Sequence, residues 1–178
     1  ISVTLEDMIK ASRSVIKGND KALIITDMPF LTYCLDINFT IENVRRLIQE
    51  TNIQGIKIEG TNNNELIKRL VDFGVPVMGH MGYIPQSINM IGKYKRLGCD
   101  KLLYDKMMEE SIELEKSGIF SLVLELVDPK LARDITKVVK IPTIGIGSGD
   151  ECDGHIQVIH DLLGLNMEFR PKHSGDYG

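Results

Sequence analysis

The feature that most constrains the fold is an alternation of short apolar runs with amphipathic stretches. Six runs, rich in leucine and β-branched residues, are bounded by glycine, proline or aspartate. Such runs are typical of strands that are buried on both faces of a parallel sheet. The predicted strands are 22–26, 54–58, 75–78, 121–126, 142–146 and 156–159.

The segments between these runs carry the spacing and end signals of helices. Thr4 and Asp7 match a capping box, and Gly18 is placed to end the helix that follows. Lys101–Lys116 is amphipathic and is followed closely by Gly118. The predicted N-caps of the remaining helices are Thr40, Asn64 and Asp128, the last followed by a favoured first-turn proline.

Repeated strand–helix units predict a parallel sheet with right-handed crossovers. Two architectures meet that description, an open doubly wound sheet and a (β/α)8 barrel. A barrel typically needs about 250 residues and eight strands. Because this chain has 178 residues and six predicted strands, the count alone favours the open sheet.

Composition excludes several other classes of protein. The chain is 43% hydrophobic and 26% charged, and it contains no apolar run of about 18 residues, so we expect a globular domain and no membrane span. Its net charge of −4 gives no electrostatic basis for binding nucleic acid. Cys34, Cys99 and Cys152 are widely separated, which argues against a disulfide scaffold or thiolate zinc site and favours a reducing compartment. We expect each to be a buried small apolar residue.

Polar residues recur where the predicted strands end: Asp27, Lys57, Glu59, His80 and Glu125. Ligands bind at the carboxyl ends of strands in parallel α/β folds, so we expect these side chains to converge on one pocket. Each also has a structural interpretation. Asp27 could start a turn, Lys57 and Glu59 could form an edge ion pair, and a lone His80 is more often a core histidine.

Glu125 fits a structural interpretation least well. A carboxylate among leucines and valines is costly to bury unless it is paired with another group or neutralised. A carboxyl group in such surroundings is a candidate general base. The glycine-rich stretch 145–149 is a weaker signal, because it lacks the spacing of a dinucleotide loop and the lysine of a P-loop. It could bring backbone N–H groups to an anion, or simply permit a tight turn.

A set of motifs, taken together and in order, resembles the ketopantoate hydroxymethyltransferase family. The motifs span essentially the whole chain, which makes the set far more specific than any single one. They are DMPF at 27–30, KIEG at 57–60, VPVMGHMG at 75–82, PQS at 85–87, LE at 124–125, IPTIGIGSG at 141–149, CDG at 152–154 and HD at 160–161.

The resemblance implies a (β/α)8 TIM-type barrel and so overrides the count of strands. Residues 1–178 would then be a single barrel domain, incomplete at the N-terminus and shortened at the C-terminus. The family's first two strands align before Ile1, and the second ends in an Asp-Ser pair that supplies a metal ligand and a substrate contact. The sequence also has His173 where the family usually has phenylalanine. By the resemblance, we expect a terminal helical region shortened after Lys172.

The resemblance also implies a reaction. A hydroxymethyl group passes from 5,10-methylenetetrahydrofolate to 3-methyl-2-oxobutanoate, on the way to pantothenate, and the family uses Mg²⁺. A 2-oxo acid can chelate a hard cation, which then stabilises the enolate as a Lewis acid.

Five residues match family positions with roles in this reaction. Asp27 matches a metal ligand that also lies at the substrate, and Glu59 matches a carboxylate beside the metal that acts through water. Lys57 matches the cation that contacts the substrate. Glu125 matches the base that removes the C3 proton, and His80 matches a residue near the transferred hydroxymethyl oxygen.

Two rival interpretations stay open at this point. One is another magnesium-dependent barrel, a lyase or aldolase acting on 2-oxo acids. The other is a non-catalytic paralogue that serves as an assembly subunit, suggested by the missing Asp-Ser pair. In either enzyme interpretation the partners are a small 2-oxo acid and, for the transferase, a folate, with neither nucleic acid nor membrane. The family implies a cytoplasmic homo-oligomer, commonly a decamer.

Overall fold

Six parallel strands form one sheet in which neighbours in sequence are neighbours in space. The protein is described here by a computed structural model that covers residues 1–33, 36–92 and 95–165. The strand order is β1-β2-β3-β4-β5-β6, and every adjacent pair is parallel. The strands are β1 Ile25–Asp27, β2 Gly55–Glu59, β3 Val77–Gly82, β4 Ser121–Glu125, β5 Thr143–Ile146 and β6 Gly154–His155.

Helices connect the strands as crossovers. The helices are α1 Leu5–Lys17, α2 Ile37–Thr51, α3 Asn64–Asp72, α4 Ile88–Ile91, α5 Lys101–Lys116, α6 Pro129–Val138 and α7 Ile159–Leu162, with a 3-10 turn at Pro85–Ser87. None of these helices is long and apolar enough to cross a membrane.

The strand order separates the two architectures that the sequence left open. A doubly wound sheet reverses its strand order at a switch point, whereas the strands of a barrel follow one another in sequence. Here the order runs without reversal, and alternate residues of β1 to β5 line a single cavity, so the sheet is curled. The fold is therefore part of a barrel, as the family resemblance implies, and the open-sheet prediction from length is wrong.

Alternation along each strand divides the sheet into two faces. The inner face lines the cavity and consists of Ile25, Asp27, Lys57, Glu59, Met78, His80, Val123, Glu125, Ile144 and Ile146. The outer face carries the intervening residues and is covered by the helices. Its large side chains Ile56, Ile58, Met81, Leu122 and Leu124 are at most 1% exposed. Burial of this apolar surface is the main stabilising contribution to the fold.

Most predicted helix starts agree with the structure, and two do not. Thr4 and Asp7 form the capping box of α1, and Asp128 caps α6. Helix α2 starts before Thr40, because the Asp36 carboxylate already accepts the N–H groups of Asn38 and Phe39, so Thr40 lies buried inside the helix.

Asn64 is likewise not a cap. It is the first residue of α3, and its side-chain oxygen accepts no hydrogen bond within the described residues. The preceding residue, Asn63, makes no side-chain cap either, since its amide nitrogen donates to the Glu59 carbonyl oxygen at 3.3 Å.

The sixth strand is also misplaced in the prediction from sequence. The apolar residues Ile156, Val158 and Ile159 are about half exposed, and the last begins α7. The pairing partner of β5 is instead Gly154–His155. Asp153 decides this register, because its Oδ2 accepts both the N–H and the hydroxyl of Thr143 at 2.8 and 3.0 Å.

The prediction that the cysteines are buried is confirmed for one of the two described cysteines and wrong for the other. Cys152 is buried as expected, but Cys99 is exposed, because it lies in the loop before α5 and not under the sheet. Cys34, Lys172 and His173 lie outside the described residues.

Candidate active site

The inner face of the sheet lines a cavity of about 720 Å³. Its polar lining includes all five residues that the sequence predicted for the site, Asp27, Lys57, Glu59, His80 and Glu125, together with Gln157 and Asp161. The sheet register explains their convergence, since Asp27 pairs with Lys57 and Glu59 pairs with His80 on adjacent strands. Their individual roles in binding and proton transfer stay predictions.

Lys57 occupies the centre of this group. Its Nζ lies 2.7 Å from Asp27 Oδ1 and 3.6 Å from Glu59 Oε1, and it donates to His80 Nδ1 at 3.0 Å. The Lys57 side chain is 14% exposed, so the cation is held away from bulk water beside two carboxylates. A positive charge in such a place attracts negative charge that develops nearby more strongly than it would in water.

His80 connects Lys57 with Glu125. Its side chain is 2% exposed. Because Nδ1 accepts from the lysine ammonium, the neutral ring carries its proton on Nε2. That atom lies 3.1 Å from the Tyr83 carbonyl oxygen and 3.3 Å from Glu125 Oε2. Both ring nitrogens are therefore engaged within the protein.

Glu125 ends a strand whose other four residues are all buried. Its side chain is 14% exposed, and the contact with His80 Nε2 supplies the partner that a carboxylate in apolar surroundings requires. Gly82 lies opposite in the register with φ +99°, and a Cβ there would come within 2.2 Å of the Glu125 carbonyl oxygen. A glycine is thus required for β3 to approach this residue so closely.

Glu59 is held by residues that the sequence analysis did not assign to the site. Its Oε2 accepts the backbone N–H of Gln86 at 3.2 Å, and Gln86 is in turn linked to Tyr33 and to the Met28 carbonyl oxygen. The motif at 85–87 contributed to the family resemblance but carried no role. Tyr33 had no signal, since an isolated tyrosine after a strand has many uses.

The carboxylates near Lys57 could take part in holding a divalent cation. Within residues 1–33, 36–92 and 95–165, no three His, Cys, Asp or Glu side chains are grouped as a metal cage. Mg²⁺ is commonly bound through one or two carboxylates, with substrate oxygens and water completing its octahedral shell. Asp27, whose side chain is 49% exposed at the cavity, and Glu59 fit that kind of incomplete protein ligand set.

The glycine-rich loop after β5 has a structural explanation. Ser148 is 1% exposed, and its hydroxyl donates to the Leu124 carbonyl oxygen and accepts the Val127 N–H. Gly149 has φ +84°, and a Cβ there would lie 2.8 Å from Pro129 Cβ. These contacts support the tight-turn interpretation, while anion binding by this loop stays a prediction.

Comparison with known proteins agrees with the motifs. The family model for ketopantoate hydroxymethyltransferase matches residues 1–178. A 3-methyl-2-oxobutanoate hydroxymethyltransferase of Dehalococcoides mccartyi strain BAV1 is 47% identical over 178 residues, covering 99% of this chain and 64% of that protein. One from Roseiflexus sp. strain RS-1 is 46% identical over 175 residues, covering 98% and 63%.

The chain thus spans slightly less than two thirds of the length of these relatives. Among solved structures, phosphoenolpyruvate phosphomutase from Streptomyces platensis is similar with a TM-score of 0.63 at 12% identity, covering 93% of this chain and 64% of that one. At that identity the likeness concerns the fold alone. The family match covers every residue, and so the chain belongs to the ketopantoate hydroxymethyltransferase family.

Proposed function

We propose that the protein transfers a hydroxymethyl group from 5,10-methylenetetrahydrofolate to 3-methyl-2-oxobutanoate, giving 2-dehydropantoate for pantothenate synthesis. Membership of the family supports this reaction. The observation that carries the proposal is the contact chain Asp27–Lys57–His80–Glu125 along one wall of the cavity. It sets an oriented carboxylate and a shielded cation around one substrate-sized space.

Glu125 is the proposed base. Removal of the C3 proton leaves an enolate, and the proton passes to the Glu125 carboxylate. A general base needs to lie within hydrogen-bond reach of the proton it takes and to have a fixed orientation. The 3.3 Å contact with His80 Nε2 supports that orientation, while the 14% exposure of the side chain leaves it open towards the cavity.

Lys57 is the proposed stabiliser of negative charge. The enolate carries its charge on the former keto oxygen, and the substrate carboxylate is negative throughout. A preorganised ammonium in a site with little water stabilises such charge without reorganising. The three contacts of Lys57 Nζ with Asp27, Glu59 and His80 hold it in one position before the substrate arrives.

Asp27 and Glu59 would hold Mg²⁺, Asp27 directly and Glu59 through water. When bound, the ion would supply Lewis-acid polarisation of the substrate's keto oxygen. The exposed Asp27 carboxylate supports a direct contact, because it is reached from the cavity. Glu59 is only 7% exposed and its Oε1 lies 3.6 Å from Lys57 Nζ, which supports a contact through water.

In the carbon–carbon bond-forming step, C3 of the enolate attacks the one-carbon unit of the folate. Both bonds from that carbon to the folate nitrogens N5 and N10 break, and water supplies the hydroxyl group of the product. The two nitrogens take up the second proton of the water and the proton removed from C3. His80 contacts both Lys57 and Glu125, which supports a role in holding the two in place. Contact of His80 with the transferred hydroxymethyl oxygen, as the resemblance implies, would require one of its present contacts to open.

The proposal includes a cytoplasmic homo-oligomer, a decamer by family resemblance. Sedimentation of the purified protein and fractionation of the cells that produce it would test these two points separately. A monomer in sedimentation, or recovery in a membrane fraction, would overturn the corresponding one.

Turnover of 3-methyl-2-oxobutanoate with and without methylenetetrahydrofolate tests the reaction. We expect 2-dehydropantoate to form when Mg²⁺ and the folate are both present, and no consumption of the 2-oxo acid without the folate. Folate-independent cleavage would instead support a lyase or aldolase. Absence of turnover together with absence of Mg²⁺ binding by calorimetry would support the non-catalytic paralogue.

A further inference from the structure

Glu59 is oriented from outside its own strand. Its Oε2 accepts the Gln86 backbone N–H at 3.2 Å, which leaves Oε1 facing Lys57 Nζ at 3.6 Å and His80 Nδ1 at 4.0 Å. The donor is a main-chain group in the Pro85–Ser87 turn. The contact therefore lasts only as long as that turn stays in place relative to β2.

The Gln86 side chain fixes the turn. Its Nε2 donates to the Met28 carbonyl oxygen at 2.8 Å, and its Oε1 accepts the Tyr33 hydroxyl at 3.0 Å. The Tyr33 hydroxyl also lies 3.4 Å from the Glu59 carbonyl oxygen. The amide thus joins the turn after β3 to the segment after β1 through both its nitrogen and its oxygen, and the Tyr33 hydroxyl extends the link to the end of β2.

This link is only partly shielded from water. Met28 is fully buried and Tyr33 is 5% exposed, whereas Gln86 is half-buried. On the buried side of the link, water does not readily replace a lost partner such as that of the Met28 carbonyl oxygen. Met28 and Tyr33 also belong to the buried apolar core that includes outer-face residues such as Ile58. Because Tyr33→Phe keeps the ring in that core, loss of the hydroxyl should change the geometry of the site more than the packing of the core.

We propose that Tyr33 and Gln86 are positioning residues that hold the Glu59 carboxylate in one orientation towards Lys57 and the cavity. The inference rests on the function proposed above, because the orientation of Glu59 affects catalysis only if the 2-oxo acid and Mg²⁺ bind in this cavity. Neither residue is among those that line the cavity. Both act through Glu59.

Tyr33→Phe and Gln86→Met test the proposal, since each removes polar atoms and keeps most of the side-chain volume. Loss of a hydrogen-bonded partner behind a metal-site carboxylate typically lowers metal affinity or activity about 10- to 100-fold. We expect a loss of this size in Mg²⁺ affinity, measured by calorimetry with 3-methyl-2-oxobutanoate present, and in kcat.

Tyr104→Phe is the matched control. Tyr104 also donates its hydroxyl within the protein, to Asp134, but it does so between helices α5 and α6. We expect this variant to keep wild-type Mg²⁺ affinity and kcat. An equal loss in Tyr104→Phe would mean that deleting any tyrosine hydroxyl perturbs the protein generally, and would overturn the proposal.

A double-mutant cycle separates positioning from a structural role. If Tyr33 and Gln86 act through Glu59, their substitutions should have no further effect on Mg²⁺ affinity in a Glu59→Gln background. Equal losses in both backgrounds, or wild-type affinity and kcat in the single variants, would overturn the proposal.

A crystal structure of Gln86→Met decides the matter if the wild-type protein fails to turn over, which would count against the proposed function alone. A Glu59 carboxylate rotated away from Lys57 would support the positioning role. An unchanged carboxylate would overturn it.

Discussion

The two faces of the sheet are built from the same strands and differ in almost every other respect. On the outer face, residues such as Ile58 and Leu124 are fully buried under helices. On the inner face, one position further along the same strands, Glu59 and Glu125 carry carboxyl groups that contact Lys57 and His80. The comparison shows that stability and chemistry are separated here by a single step along each strand, because side chains alternate with a period of two.

The largest expected effect is a loss of stability caused by a substitution on the outer face. Leu124→Ala removes a fully buried side chain that the surrounding structure cannot fully replace, and such changes typically lower the free energy of unfolding by about 2–5 kcal/mol. Chemical denaturation measures this change. Leu102→Ala is the control, since Leu102 is 83% exposed on α5, and we expect it to shift stability by no more than about 0.5 kcal/mol. Similar losses in both variants would contradict the division into faces.

The second largest expected effect is a loss of turnover caused by a substitution on the inner face. Lys57→Met keeps the aliphatic stem and removes the charge, and loss of one preorganised stabiliser typically lowers kcat by about 10²- to 10³-fold. We expect that loss in steady-state turnover, together with a thermal midpoint that changes much less than in Leu124→Ala. Lys101→Met removes a surface lysine paired with Asp105 and should leave kcat unchanged. Wild-type turnover in Lys57→Met would remove Lys57 from the mechanism.

The smallest expected effect is a difference in the reactivity of two thiols, one covered on the outer side of the sheet and one exposed to solvent. Burial raises the pKa of the Cys152 thiol, and its Sγ would lie 3.1 Å from a Cβ added at Gly145 on the outer face, whereas Cys99 is exposed. Each unit by which a thiol pKa rises lowers its thiolate fraction about tenfold at a pH below that pKa. We therefore expect a thiol reagent to modify Cys99 well before Cys152 near neutral pH.

The sign of the accompanying pH effect follows from the direction of the shift. A thiol with a raised pKa in the folded protein stabilises the fold below the pKa of the unfolded thiol, and this contribution is lost as the pH rises through the folded value. The chain has a third cysteine, Cys34, so the comparison is made in a Cys34→Ser background. In that background, the kinetics of thiol modification in Cys152→Ser and in Cys99→Ser assign the two thiols. Equal reactivity of the two would show that the outer face is open at Cys152.

Sequence reasoning predicted the features that depend on alternation and on local caps. The apolar runs located five of the six strands, and the polar residues at strand ends located the cavity, because both follow from which face a residue occupies. Thr4 and Asp128 were identified as caps for the same local reason. The choice between a barrel and an open sheet required the family resemblance, since strand counting on this chain favoured the wrong one.

The features that were missed depend on contacts between distant segments. The short strand Gly154–His155 has no apolar pattern, and its register depends on the tether between Asp153 and Thr143. The link from Tyr33 through Gln86 to Glu59 joins residues up to 53 positions apart. Leu126, directly after Glu125, has φ +49°, a conformation that leucine rarely adopts and that no local signal predicts.

The central claim is that the inner face activates C3 of the 2-oxo acid, and proton exchange tests it most directly. In D₂O with Mg²⁺ and without folate, nuclear magnetic resonance should show loss of the C3 proton of 3-methyl-2-oxobutanoate in the wild-type protein. General-base catalysis typically contributes about 10²- to 10⁴-fold, so Glu125→Gln should slow this exchange by that factor. Glu113→Gln, on the exposed surface of α5, should not slow it. Exchange at the wild-type rate in Glu125→Gln would contradict the account.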